Sequence, residues 1–191
     1  MKWMKAVGAA ALAVSLAAQA ADYQIGDRLK APAAEAEAGY RTITWDDLIP
    51  PDWHPEEIFK QMDFSTLKDN DPRAAEALQK MREAWDRAPV VPAMSGQRVR
   101  IPGFLVKLEG DAQHVREFLL VPYFGACIHV PPPPANQVIH VVPDKPVPAA
   151  VSKDSGAVWV SGVLSTTATV SDLGNASYKM KAVKVEAYKQ P

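Results

Sequence analysis

Three side chains within one short stretch could do chemistry: the thiol of Cys127 and the imidazoles of His129 and His140. They lie in LLVPYFGACIHVPPPPANQVIH, which runs from Leu119 to His140. Zinc accepts a thiolate with imidazoles at tetrahedral geometry, and copper(I) accepts the same mixture. One residue separates Cys127 from His129, so a strand would project both from the same face. Antiparallel pairing of 126–130 with 137–141, in the register that sets Cys127 opposite His140, would add the third donor. The expected site is therefore Cys127, His129 and His140 around zinc, with a position left for water or a fourth group. The same residues also suit plainer roles. Cysteine is often a buried small hydrophobe, and His140, between Ile139 and Val141, can hydrogen-bond at a sheet edge. A nucleophilic Cys127 would need a lowered thiol pKa, an orienting group and an oxyanion site. No motif supplies the last two, so no catalytic residue is assigned and an enzyme is not expected.

The elements that must position these residues divide the chain into four parts. Residues 1–20 carry Lys2 and Lys5, an uncharged apolar run over 6–18 and the small residues Ala18 and Ala20. That order is a secretory signal, with cleavage expected after Ala20 and a periplasmic destination. Its apolar run is shorter than the roughly 20 residues that span a bilayer, and no later segment qualifies. Removing it leaves 171 of the 191 residues, and the loss of two lysines moves the formal charge from −1 to −3. A mildly acidic chain without basic clusters is a poor partner for nucleic acid or an anionic membrane. With Cys127 its single cysteine, the chain cannot form an internal disulfide. Stability must come from apolar burial.

Residues 21–39 are rich in Ala and Glu, so a flexible leader is expected. Residues 40–95 are helical and irregular. Pro55 can begin a short helix through Met62. A longer one is expected over 71–87, with Asp71 as N-cap and Pro72 at the first position. Leu78, Met81 and Trp85 recur down one of its faces, which should rest on the β-domain. Asp46 and Asp47 read as turn caps rather than catalytic carboxylates.

From Gly96 to the end the period becomes two. Strands are expected over 97–109 (bent at Pro102-Gly103), 117–123, 138–142, 157–164 and 178–188, the last with a bulge near Ala182. Five strands, the first long and bent at glycine, imply a mainly β chain whose 96–191 domain is a small Greek-key barrel of the oligomer-binding type. A β-sandwich is the alternative.

Val99-Arg100-Ile101-Pro102-Gly103-Phe104, the stretch from Phe118 to His129 with its prolines and Asn136-Gln137, and the Val158-Trp159-Val160-Ser161-Gly162 strand together resemble an exported bacterial family. It is domain-of-unknown-function family 3299. The resemblance covers about 42–188. Some members resemble lipoproteins, a feature this chain lacks. The family implies metal-related envelope work beside ABC transporters and zinc-responsive genes, with an envelope transporter or a metallochaperone protein as partner. It also implies a periplasmic zinc-binding accessory role for Cys127, His129 and His140. A metal-free interaction module of a transporter complex, using the prolines at 131–134 as contact surface, is the second expectation. A Cys-dependent enzyme is the third.

Overall fold

In a computed structural model, residues 23–30, 39–55, 72–153 and 156–189 are described. The signal segment and most of the expected 55–62 helix, like the Asp71 cap, lie outside them. The strands are β1 (Arg41–Thr42), β2 (Arg98–Gly110), β3 (His114–Val121), β4 (Ile139–Pro143), β5 (Val147–Pro148), β6 (Ala157–Ser165), β7 (Thr169–Ser171), β8 (Gly174–Ala176) and β9 (Tyr178–Ala187). Helix α1, as described, covers Pro72–Asp86.

Strand β2 reads on two partners because it bends. Its first half, 98–104, pairs with β6, and its second half, from Phe104 on, pairs with β3. Gly103 sits where the two pairings meet. A Cβ there would lie 2.8 Å from Leu120 Cγ and 2.9 Å from both Trp45 Cζ2 and the Val121 carbonyl oxygen. Only glycine lets the chain pass that closely. The sheet order is β2-β6-β9-β4-β3, and β3 returns to β2, so the sheet closes on itself. β4 and β9 run parallel, and the other barrel pairs are antiparallel. Numbered among the five barrel strands, the order is 1-4-5-3-2-1, the Greek-key connectivity of the oligomer-binding barrel. The expected bulge is present: Gly162 opposes Ala182 and Ser161 opposes Lys184, leaving Val183 extra and exposed.

Inside the barrel, Val99, Ile101, Phe118, Leu120, Ile139, Val141, Val158, Val160, Leu164, Tyr178 and Met180 form the main core. Residues 41–48 and 91–94 add Ile43, Trp45, Leu48 and Met94 to it. This addition is fixed by hydrogen bonds. The Trp45 indole donates to the Pro102 carbonyl at 2.8 Å, and Gln137 Nε2 donates to the Trp45 carbonyl at 2.8 Å. The Tyr178 hydroxyl donates to the Leu48 carbonyl and accepts from the Val91 amide. The polar groups of Trp45, Gln137 and Tyr178 named here are thus satisfied, as a low-dielectric core requires. Asp47 caps its turn, accepting from the amide and hydroxyl of Thr44.

Two expectations need correction. The leader is not free over its described part. Gly26 donates to the Phe124 carbonyl, Phe124 donates to that of Asp27, and Tyr23 sits edge-on to Phe104 with ring centres 5.2 Å apart. An aromatic side chain inside an Ala/Glu-rich stretch is enough to hold it down. Helix α1 also differs, because Ala77 is its buried residue while Leu78 is 46% exposed. Its apolar face does not meet the sheet through Leu78. That residue, with Met81 and Trp85, lines an open groove instead.

Candidate functional site

The stretch holding Cys127 is a coil of turns rather than a strand, and this alters the expected site. Gly125, at φ +84°, turns the chain, and its carbonyl then accepts from the amides of Ile128, His129 and Val130 at 3.3, 2.8 and 3.2 Å. Wrapping three amides around one oxygen forces Cys127 to φ 65°, left-handed for a residue with a Cβ. That costs about 1–2 kcal/mol. Ile128 and His129 face solvent. The shared strand face that would have aligned Cys127 with His129 does not form.

The expected pairing of 126–130 with 137–141 is replaced as well. Asn136 and Gln137 belong to a short 3-10 turn, and β4 pairs with β3 so that His140 stands opposite Leu119. The reason is the proline run. Prolines at 131–134 lack the amides a ladder needs, so the chain leaves the sheet and re-enters it only at Ile139. Among the described residues, no three His, Cys, Asp or Glu side chains gather as a metal-ligating group.

His140 points outward from the barrel and is buried there. Its Nε2 lies 2.8 Å from Glu117 Oε2, and its Nδ1 lies 3.3 Å from Thr169 Oγ1. With Nε2–H donating to the carboxylate, Nδ1 is left to accept from the threonine hydroxyl. Both ring nitrogens are therefore engaged by protein. Cys127 packs beside an outer apolar cluster of Phe104, Val106, Leu119, Val121, Ala126, Val138, Ala157 and Ala176. Burial pushes its thiol up to about 11, the reverse of what a thiolate ligand or nucleophile requires. His54 and His114 stand apart. The His114 amide donates to Asp111 Oδ1, which caps the β2–β3 turn.

A second feature escaped the sequence reading. Leu78, Met81, Arg82, Trp85 and Asp86 on α1 face Pro131, Pro132 and Pro133 across a groove of about 520 Å³. The prolines form one wall because residues 135–137 are anchored behind them. Asn136 Nδ2 donates to the Pro89 carbonyl at 2.9 Å, which also fixes the chain just beyond α1. Glu117, Thr169 and the β7–β8 hairpin were missed too. Ser171-Asp172-Leu173-Gly174 is a turn signal that could have marked the hairpin.

The family described as "Protein of unknown function (DUF3299)" matches residues 45–187. The chain belongs to this family. A crystal structure of a family protein from Pseudomonas aeruginosa is 36% identical, with a TM-score of 0.61. The match covers 80% of this chain and 98% of that one. No curated protein matches the chain.

Proposed function

We propose that this family member is a periplasmic, non-enzymatic interaction module that binds an extended apolar segment of an envelope protein in the groove between α1 and the proline run. The groove is the observation that carries the reading. One wall is Leu78, Met81 and Trp85, the other is Pro131, Pro132 and Pro133. Proline rings and an indole offer flat apolar surfaces that lose little entropy on binding. Arg82 and Asp86 stand one helical turn apart with opposite charge, so the rim has no net sign. That suits an uncharged peptide better than nucleic acid or an anionic surface. No helix among the described residues is long and apolar enough to cross a membrane. The expected signal segment supports the periplasmic setting, and the family resemblance supports a transporter complex as the source of the partner.

The metal-binding reading draws less support from the site. Cys127 carries a protonated thiol in an apolar setting, His129 faces solvent, and His140 already serves Glu117 and Thr169.

The test is a photo-crosslinking amino acid at position 78, where half-exposed Leu78 tolerates replacement, in cells exporting the chain. A discrete adduct with one envelope protein is expected there and not from the exposed Val183 position. Adding Met81→Asp should abolish it. The purified partner should bind with a dissociation constant on the order of micromolar and lose at least about tenfold with Met81→Asp. No discrete adduct at 78, or one that survives Met81→Asp, would end this reading.

A further inference from the structure

The β7–β8 pair forms its own two-stranded sheet, separate from the barrel sheet, yet the hairpin touches the outer face at both strands. On β7, Thr169 Oγ1 meets His140 Nδ1. On β8, Gly174 stands over the cysteine loop. A Cβ there would lie 3.0 Å from Pro132 Cβ and 3.6 Å from Cys127 Sγ. Ala176 is buried in the outer cluster, whereas Val170, one rung away, is 82% exposed. A hairpin with three residues in each strand does not hold its own shape in water, so its position is set by what it touches.

We infer that this hairpin is a strap over the Cys127 loop, latched at Thr169 by the His140–Glu117 pair, and that its release uncovers Cys127 and frees Pro132. The latch is built in depth. Glu117 on β3 fixes the imidazole from one side, and the parallel pairing with β9 sets Lys179 beside it from the other. The buried ring can therefore present only Nδ1 to the hairpin. Pro132 lies under Gly174 and also forms part of the groove wall, so the strap's position bears on the groove's shape. The inference goes beyond the groove reading and does not depend on what binds there, because Cys127 itself reports it.

The test is alkylation of Cys127 by iodoacetamide in the intact chain at about pH 8, where an ordinary thiol is partly ionised. Backbone hydrogen exchange is followed on the same samples. Thr169→Val keeps the side-chain shape and removes the hydroxyl. It should speed alkylation several-fold and lower the thiol's apparent pKa from about 11 toward its ordinary value. Amides of 169–176 should exchange faster while those of 118–121 keep their protection. Thr169→Ser retains the hydroxyl and should behave as wild type. Unchanged alkylation in Thr169→Val would overturn the inference. So would faster alkylation accompanied by equal loss of protection in 118–121, because that is general unfolding rather than release of a strap.

Discussion

Two faces of the same strands are buried here by different means. Phe118 and Leu120 of β3 point into the barrel, and Leu119 and Val121 point out of it, yet all four are fully buried. The inner set is enclosed by closure of the sheet itself. The outer set is enclosed by the 122–138 loop, the described leader and the β7–β8 hairpin, through Tyr23, Phe124, Ala126 and Ala176. A barrel strand with one face in water would alternate with polar residues. Phe-Leu-Leu-Val does not alternate, and the outer apolar surface it creates needs a cover. The cysteine and the prolines belong to that cover. The difference teaches that the segment richest in apparent chemistry is held in place by packing on an outer core, with irregular backbone and few ladder bonds.

If the two cores differ in this way, truncation in each should differ in size and reach. Phe118→Ala, inside, should cost about 3–5 kcal/mol in urea unfolding and weaken hydrogen-exchange protection throughout the barrel. Phe124→Ala, in the half-buried cover, should cost only about 1–2 kcal/mol, less than full burial of the ring would be worth. It should leave the amides shared by β2 and β6 protected. Equal costs and equal loss of protection would mean the cover is as integral to the fold as the interior, which would break the comparison. A finer test uses the strained backbone at Cys127. Because φ is 65° there, Cys127→Gly should be more stable than Cys127→Ala by about 1 kcal/mol, and Cys127→Val less stable than Cys127→Ala. The opposite order in denaturant midpoints would place this residue in ordinary backbone.

The barrel was legible because its code is local. Strand-length apolar or alternating runs between turn residues marked all five barrel strands, the Pro102-Gly103 bend fell where β2 changes partner, and the slip at Ala182 marked the bulge. Asp47 as a turn cap was legible for the same reason. The site was not, because its geometry depends on where the chain leaves the sheet. Cys127-Ile128-His129 has strand-like residues, but three amides converging on the Gly125 carbonyl override that preference. Glu117 could be matched to His140 only once β3 and β4 were known to pair with Leu119 opposite His140. The groove was hidden because Leu78, Met81 and Trp85 look like a core face in sequence, and only the fold shows them facing prolines.

We propose that Cys127 and His140 serve the outer core and its strap rather than an ion, with His129 in solvent. Calorimetric titration of the tag-free mature chain with Zn²⁺ and with Cu⁺ tests this most directly. The account predicts no binding tighter than about millimolar, and the same weak heats for Cys127→Ser and His140→Ala. A single site tighter than about micromolar that is lost in Cys127→Ser and weakened in His129→Ala and His140→Ala would contradict it.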